Sequence, residues 1–181
     1  EILAKTLNKK GWIREMVNRG AQGENSKIWP IGTPEKRWQA QENGLQFELR
    51  SDQGLSPGLF LDQRENRKWI KNQSKDKKFL NLFCYTGGFT LNAAVGGALE
   101  TCSVDTNKNY MEWAQTNLDL NQIDLQSGAH QFWEADCLFF LKSCLKKGRK
   151  FDLIACDPPS VGRSKEGTFQ IHKNLPELLE G

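Results

Sequence analysis

Residues 78–106 of the chain read KFLNLFCYTGGFTLNAAVGGALETCSVDT, and this stretch decides the fold class. The apolar run at residues 79–84 predicts a buried parallel strand, because strands that are covered on both faces lack polar alternation. A turn follows at Gly87-Gly88, and the small residues after it predict a helix. A second apolar run then ends in Asp105. The predicted order is strand, glycine turn, helix, strand and acid.

The glycine turn and the acid together indicate a nucleoside-bearing ligand. Glycine lets the backbone approach a ligand closely, and the N-terminus of the following helix offers unpaired N–H groups to a carboxylate or phosphate. Asp105, about twenty residues after the turn, is placed to accept hydrogen bonds from two ribose hydroxyls. The three-glycine fingerprint of dinucleotide-binding proteins is absent, so an ordinary tight turn is the alternative interpretation of these glycines.

A third element, FDLIACDPPS at residues 151–160, strengthens the functional interpretation. A buried strand that ends in Asp157-Pro158-Pro159 has a rigid tip, because each proline fixes its own φ and restricts the residue before it. Such a tip holds a carboxylate and neighbouring carbonyl groups in place. With these motifs the chain resembles the class I S-adenosylmethionine-dependent methyltransferases, in which an acid-Pro-Pro motif closes the fourth strand beside the reacting methyl group.

The resemblance narrows to the bacterial 23S ribosomal RNA methyltransferases, a group that contains guanine-N7 and cytosine-C5 enzymes. It rests on four motifs in order, namely GLFLDQRENR at residues 58–67, NLFCYTGG at residues 81–88, Val104-Asp105 and the Asp-Pro-Pro tip. The segments YMEWAQTNL at residues 110–118 and ADCL at residues 135–138 favour the guanine-N7 branch. Four ordered motifs are far more specific than any one of them.

The resemblance implies S-adenosyl-L-methionine as the cofactor. Charge and shape indicate that the glycine turn packs against the amino-acid head group, that Asp105 holds the ribose, and that Asp136 with the Cys137 backbone meets the adenine edge. The predicted cofactor site comprises Leu61, Asp62, Arg64, Asn81, Phe83, Tyr85, Thr86, Gly87, Gly88, Asp105, Thr106, Asp136, Cys137 and Asp157. The predicted catalytic residues are Asp157, Pro158, Pro159 and Ser160.

Two of these assignments have structural alternatives. Asp136 precedes a predicted helix, and aspartate is a preferred residue at the N-cap position of helices. Arg64 lies in a polar segment and is nearly as well explained as a surface charge.

The chemistry of methyl transfer favours guanine N7 as the acceptor. The donor sulfonium is already activated, so the protein mainly aligns donor and acceptor and excludes water. Guanine N7 carries a free lone pair and needs no general base. In the amine-methylating families the residue after the prolines is usually aromatic, whereas here it is Ser160, which argues against adenine-N6 and guanine-N2 transfer. We therefore predict a guanine-N7 methyltransferase of large-subunit ribosomal RNA.

Other functions stay open from the sequence alone. Cytosine-C5 transfer needs a thiolate nucleophile, and Cys156 is expected to be a neutral thiol because it lies in an apolar strand and faces away from the site. The nucleophile of a C5 enzyme would then lie outside this chain. A methyltransferase for a non-RNA substrate, or a non-catalytic cofactor-binding or RNA-binding module, would carry the same cofactor motifs.

Composition sets the broad class of the protein. The 181 residues are 38% hydrophobic and 26% charged, as in soluble globular proteins, and no apolar run reaches membrane-spanning length. The five cysteines lack Cys-x-x-Cys spacing, so we expect reduced thiols in a cytoplasmic protein, and no metal site. The net charge of +3 is modest. Basic clusters at residues 68–78 and 142–150 are able to contact RNA phosphates, although a solvated helix face explains each cluster separately.

We predict three regions along the chain. Residues 1–41 form an N-terminal helical segment, with one or two short amphipathic helices in residues 1–19, followed by a linker. Residues 42–77 form a β-hairpin and a helix that lead into the core. In this hairpin the alternating strand at residues 45–49 returns through residues 59–61, and Asp62 caps the helix that follows.

The third region, residues 78–181, is predicted to be an α/β, Rossmann-like methyltransferase domain with a parallel sheet. Strands are expected near residues 79–84, 101–105, 130–135 and 151–156, and helices near residues 89–96, 107–120, 137–147 and 168–180. The family has seven strands and only four are found here, so we expect a C-terminally incomplete sheet. An incomplete apolar sheet edge favours self-association or covering by a partner.

Overall fold

The computed structural model describes residues 11–14, 28–31, 34–53, 56–164 and 167–180. The chain divides into two compact units, one formed by Glu1–Trp38 with Leu49–Pro57 and the other by Gln39–Glu48 with Gly58–Gly181. None of the helices in the described residues is long and apolar enough to cross a membrane.

The first unit contains an antiparallel strand pair where helix and linker were predicted. Strands β1 (Gly11–Arg14) and β2 (Ile28–Ile31) pair along their whole length. The helical prediction is therefore wrong at β1 and the linker prediction is wrong at β2. Both segments combine isoleucine with tryptophan, residue types that favour strands. Residues 1–10, 15–27 and 32–33 of this predicted region lie outside the described residues, and residues 37–41 belong to a further strand.

A β-hairpin follows, but it is not the predicted one. Strand β3 (Arg37–Glu42) pairs with β4 (Leu45–Arg50) through a two-residue turn at Asn43-Gly44. Both turn residues have positive φ, 51° and 82°, as the tight type I′ hairpin turn requires. The predicted return strand at residues 59–61 is wrong, because the Asn-Gly turn pairs β4 with the segment before it. Residues 61–63 instead form a 3₁₀ turn, Leu61–Gln63.

The core is a parallel four-stranded sheet, as predicted. Its strands are β5 (Lys78–Leu82), β6 (Glu100–Asp105), β7 (His130–Glu134) and β8 (Leu153–Cys156), in the spatial order β7-β6-β5-β8. The flanking helices are α1 (Arg64–Gln73), α2 (Gly88–Val95), α3 (Lys108–Leu120) and α4 (Cys137–Lys146). The strand order reverses between β5 and β8, which is where open α/β sheets bind ligands.

The last described elements differ slightly from prediction. Strands β9 (Val161–Ser164) and β10 (Gly167–Gln170) form an antiparallel pair, and helix α5 (Ile171–Glu180) follows. The predicted helix therefore begins three residues later than expected. This hairpin directly follows the Asp-Pro-Pro tip, and the Ile171 N–H donates to the Ser160 carbonyl at 3.1 Å.

Strand β5 is the centre of the hydrophobic core. On this strand Phe79, Leu80 and Leu82 are at most 2% exposed. Leu80 and Leu82 pack in a cluster with residues of β6 and α4, whereas Phe79 packs in a second cluster with Ile70 of α1 and with α2. Burial on both faces explains why the strand reads as a continuous apolar run.

Candidate functional site

The loop after β5 has an unusual backbone. Phe83, Tyr85 and Gly87 all have positive φ, at 55°, 50° and 74°. Non-glycine residues adopt this conformation rarely and at some energetic cost, and such residues cluster at functional sites. The loop between β5 and α2 is therefore held in a strained shape by the packing around it.

Gly87 is required for that shape. A Cβ atom on Gly87 would lie 2.7 Å from the Cβ of Ala114 on α3, so both its positive φ and the available space exclude a side chain. Gly87 is also the N-cap of α2, and it has no side chain to accept hydrogen bonds from the first N–H groups of that helix. The first turn of α2 follows the carboxyl end of β5 through this loop.

Asp105 lies at the carboxyl end of β6, next to this loop. One carboxylate oxygen accepts from the Tyr85 N–H at 3.0 Å, and the other accepts from the Asn107 N–H at 3.0 Å. Burial raises the pKa of Asp105, and the hydrogen bonds from the backbone of Asn107, Tyr85 and Thr106 oppose that increase. Asp105 thus joins the tip of β6 to the glycine loop.

The Asp-Pro-Pro tip meets the turn before α1. The Gln63 Nε2 amide donates to Asp157 Oδ2 at 3.2 Å, and the Asn66 Nδ2 amide donates to Gln63 Oε1 at 2.7 Å. Partial desolvation and the nearby carboxylate of Asp62 raise the pKa of Asp157. Asp62 and Asp157, both predicted cofactor-site residues, are therefore close in space. Gln63 is a contact that the sequence analysis missed, although it stands in the quoted motif at residues 58–67.

An aromatic cluster surrounds Tyr85. Its ring centroid lies 5.4 Å from that of Phe60, 4.6 Å from that of Tyr110 and 6.1 Å from that of Trp113. Burial and the adjacent Asp105 raise the pKa of the Tyr110 hydroxyl. The sequence analysis assigned Tyr85 to the site but not Phe60 or Tyr110. The position of Tyr110 in the first turn of the helix after Asp105 was the available signal.

The family model described as S-adenosylmethionine-dependent methyltransferase matches residues 13–180 of the chain. This chain belongs to that family. Membership confirms the predicted class I methyltransferase, its Rossmann-like fold and its cofactor, S-adenosyl-L-methionine.

Named relatives and solved structures agree with the family. Ribosomal RNA large subunit methyltransferase K of Neisseria meningitidis serogroup B is 42% identical over 142 residues, which are 77% of this chain and 40% of that protein. Methyltransferase K/L of Marinobacter nauticus is 40% identical over 181 residues, 99% of this chain and 23% of that protein. This chain therefore spans well under two thirds of the length of these relatives.

Two crystal structures have a fold similar to that of this chain. A SAM-dependent methyltransferase from Agrobacterium tumefaciens has a TM-score of 0.79 and 28% identity, with 86% of this chain and 50% of that chain covered. The methyltransferase SMU.776, complexed with SAH, has a TM-score of 0.76 and 31% identity, with 84% of this chain and 41% of that chain covered.

The site of this methyltransferase family member fits its cofactor. The backbone N–H groups of Tyr85, Asn107 and Thr106 bond the Asp105 carboxylate, which has about four acceptor positions on its two oxygens. Acceptor capacity thus remains at this carboxylate for ribose hydroxyls. The uncapped N-terminus of α2 provides donors for a carboxylate, the group at the other end of S-adenosyl-L-methionine.

The predicted adenine contacts have structural roles of their own. One Asp136 carboxylate oxygen accepts from the N–H groups of Leu138 at 2.9 Å and Phe139 at 3.2 Å, so Asp136 caps α4. The Cys137 thiol accepts from the Phe83 N–H at 3.4 Å, and its residue is 2% exposed. The bond from Phe83 places Cys137 beside the β5 loop, and the adenine contact of Asp136 and Cys137 stays a proposal.

A buried ion pair fixes the turn between residues 60 and 63. The Arg67 guanidinium donates to both carboxylate oxygens of Glu42 at 2.8 Å, and these residues are 3% and 8% exposed. A third donor of Arg67 bonds the Phe60 carbonyl at 2.9 Å. Arg67 therefore ties the end of β3 to the turn that carries Gln63. It was not among the predicted site residues.

The predicted cofactor-site residues Leu61, Asp62 and Arg64 lie in different environments. Asp62 does not cap the helix, because the chain enters α1 through the 3₁₀ turn and the N-cap position falls on Gln63. Arg64 is exposed and its guanidinium contacts the Asn43 side chain at 3.4 Å. Leu61 is 76% exposed. Asp62 lies near Asp157, whereas Arg64 points toward the hairpin turn.

Asn81 and Thr86 support the loop from beneath. The Asn81 amide donates to Thr90 Oγ1 at 2.9 Å, and the Thr86 hydroxyl donates to the Gly58 carbonyl at 2.5 Å. The Asn117 amide donates to the Thr86 carbonyl at 2.9 Å. Both predicted residues are 1% exposed, so their side chains position the loop and leave ligand contact to its backbone.

The remaining predicted residues are accessible at the same edge of the sheet. Thr106, Asp157, Pro159 and Ser160 are exposed, and Pro158 and Phe83 are half-buried. Phe83 packs against Phe169 of β10 with ring centroids 5.1 Å apart.

The thiols of this region are poor nucleophiles. Burial raises the pKa of Cys84, and partial desolvation together with Asp157 raises the pKa of Cys156. Both changes favour the neutral thiol. Cys156 is exposed although it lies in the strand β8. Among the described residues no group of His, Cys, Asp and Glu is arranged to hold a metal ion.

Proposed function

We propose that this protein transfers a methyl group from S-adenosyl-L-methionine to guanine N7 of large-subunit ribosomal RNA. The observation that carries the proposal is the 40% identity to a ribosomal RNA large subunit methyltransferase K/L over 99% of the chain. The convergence of the glycine loop, Asp105 and the Asp-Pro-Pro tip at one sheet edge supports it. The proposal places RNA binding and rRNA processing in the cytoplasm.

The chain contributes binding and alignment. Asp105 holds the ribose hydroxyls, and the loop at Gly87-Gly88 binds the amino-acid head group through the N-terminus of α2. The bound cofactor supplies a methyl group on a positively charged sulfur, which needs no further activation. The tip Asp157-Pro158-Pro159-Ser160 orients the acceptor base, and Gln63 keeps the Asp157 carboxylate in place.

Guanine N7 is the acceptor that the site supports best. Its lone pair is free, so no general base is needed, and Ser160 offers no aromatic ring for an amine-methylating site. Cytosine-C5 transfer requires a thiolate, and the raised pKa values of Cys84 and Cys156 keep these thiols neutral. A C5 reaction would therefore need a cysteine outside these residues.

Nucleoside mass spectrometry tests this proposal. The protein is incubated with labelled S-adenosyl-L-methionine and unmodified large-subunit rRNA, and 7-methylguanosine is expected to form. Asp157→Ala is expected to lower the rate by about 10²-fold or more, because misplacement at the reacting centre costs that much. The control Asp152→Asn changes an aspartate at the opposite end of β8, which bonds the Lys78 N–H, and should keep most activity.

Three outcomes would contradict parts of the proposal. Formation of 5-methylcytidine would move the chemistry to a cysteine, and labelling of a non-RNA substrate alone would exclude rRNA. Binding of S-adenosylhomocysteine without any methyl transfer would leave a non-catalytic cofactor-binding module.

We further infer self-association through the open edge of the sheet. Among the described residues β8 pairs with β5 alone, and Ile154 on this strand is 52% exposed. An unpaired strand edge presents free N–H and C=O groups to a second chain. Light scattering is expected to show dimers whose fraction rises with concentration and falls in Ile154→Lys. A monodisperse monomer at every concentration would refute this inference.

A further inference from the structure

Helix α1 carries a basic face that the cofactor site does not use. We call Lys68, Trp69, Lys71, Asn72 and Lys75 the α1 basic face. Lys68, Lys71 and Asn72 are spaced i, i+3 and i+4, so they share one side of the helix, and Lys75 follows just beyond its end. The side of α1 that carries Arg67 and Ile70 is buried. Lys68, Trp69, Asn72 and Lys75 are exposed, and Lys71 is half-buried at the margin of the buried side.

Positive charge is concentrated in this segment. Residues 64–78 contain seven basic and two acidic residues, a formal charge of +5, whereas the whole chain carries +3. In the part of the chain that the structure describes, Lys68, Lys71 and Lys75 form no ion pair with a carboxylate. A helix surface of unpaired lysines attracts a polyanion, and RNA phosphates are such a polyanion.

Trp69 distinguishes this surface from an ordinary solvated helix face. Its side chain is 55% exposed, and the exposed residues Lys68 and Asn72 lie one position before it and three positions after it in the chain. Unpaired RNA bases stack on exposed aromatic side chains, whereas base-paired helices are recognised mostly by shape and backbone. An exposed tryptophan flanked by lysines therefore fits single-stranded RNA, with the ring for a base and the ammonium groups for phosphates.

The α1 basic face lies close to the reacting centre. Helix α1 begins directly after Gln63, whose amide bonds Asp157 at 3.2 Å. With a rise of about 1.5 Å per residue, Trp69 lies about 9 Å farther along the helix axis. A nucleotide chain that leaves a base at Asp157 is able to reach Trp69 within its next few units.

We propose that the α1 basic face binds the single-stranded RNA segment that flanks the target nucleotide, with Trp69 stacked on an unpaired base. This inference rests on the proposed function, because it supplies the substrate-binding surface of the same site. It assigns RNA binding to the basic cluster at residues 68–78 and not to the cluster at residues 142–150.

Two variants and one matched control test the surface. The variants are Trp69→Ala and the triple change Lys68→Gln, Lys71→Gln and Lys75→Gln. The control is Lys146→Gln, Lys147→Gln and Lys150→Gln, which removes the same charge from exposed lysines at the other basic cluster. Binding of a labelled single-stranded RNA oligonucleotide and of unmodified large-subunit rRNA is measured at several salt concentrations. Binding of S-adenosylhomocysteine reports whether each variant is folded.

We expect Trp69→Ala to weaken RNA binding by roughly tenfold, the effect of losing one stacked base. In the α1 triple variant, the slope of log K against log salt concentration should become smaller in magnitude by about 0.7 for each lost phosphate contact. The control triple variant should bind RNA within about threefold of the wild-type protein, and S-adenosylhomocysteine binding should be unchanged throughout.

The outcomes separate this inference from the proposed function. If both α1 variants bind and methylate rRNA like the wild-type protein, or if the control loses as much affinity as they do, the α1 assignment is wrong and the methyltransferase stands. If the wild-type protein binds RNA through this face yet methylates no rRNA, the proposed function fails and the RNA surface stands. A wild-type protein that binds no RNA overturns both.

Discussion

Arg67→Met is expected to lower the free energy of unfolding by about 3–5 kcal/mol, because it leaves the buried Glu42 carboxylate without its partner. Arg67 and Glu42 are 3% and 8% exposed and share two hydrogen bonds of 2.8 Å. The Phe60 carbonyl loses one of its two donors at the same time and keeps the Gln63 N–H. Denaturant unfolding of the two proteins under the same conditions measures the difference.

Two controls separate the ion pair from a general effect of the substitution. Arg64→Met removes an exposed arginine from the same helix and should change stability by no more than about 0.5 kcal/mol. The double variant Glu42→Leu with Arg67→Met removes both charges and should recover much of the loss, since apolar pairs often replace buried ion pairs without cost. A single variant as stable as the wild-type protein would show that Glu42 finds another partner.

Asp105→Asn is expected to weaken cofactor binding by roughly 10²-fold or more. Hydrogen bonds to a charged acceptor contribute about 1.5–3 kcal/mol each, and two ribose hydroxyls depend on this carboxylate. In the variant, the NH₂ group of asparagine also replaces one acceptor oxygen. It would then face the N–H group of Tyr85 or of Asn107, both of which now donate to Asp105. Calorimetric titration with S-adenosylhomocysteine measures the affinity.

The pH dependence of binding provides a second test of Asp105. Burial raises its pKa above the ordinary value of 3.8, and the ribose hydroxyls bond the ionised form. Cofactor affinity should therefore fall as the pH drops through the raised pKa, by up to about tenfold per pH unit. The fall should begin at a higher pH than for an unperturbed aspartate, and Asp105→Asn should lack it.

Asp124→Asn is the matched control for Asp105. Its carboxylate likewise accepts a backbone N–H, that of Gln126 at 2.9 Å, but it caps the short 3₁₀ turn Leu125–Ser127 away from the strand tips. Cofactor affinity and its pH dependence should match those of the wild-type protein. Equal losses in both variants would indicate a folding defect and refute the role of Asp105 in binding.

Local sequence signals predicted most of the core. The continuous apolar runs of β5 and β6 indicated burial on both faces of the sheet. Gly87 and the paired prolines indicated backbone conformations that few other residues adopt. Errors arose where two local signals competed. Strand β4 has a turn on each side, at Asn43-Gly44 and after Arg50, and either turn is compatible with a hairpin. The hairpin forms at Asn43-Gly44 because both residues adopt positive φ.

The sequence by itself determined the parallel sheet, the family and the three strand tips of the site, because these depend on residue types within single elements. Only the tertiary structure decided which side chains hold those tips together. Gln63 and Asp157 are 94 residues apart, and Arg67 and Glu42 are 25 apart. Such partners are chosen by packing of the whole domain, so no periodicity or motif within one element specifies them.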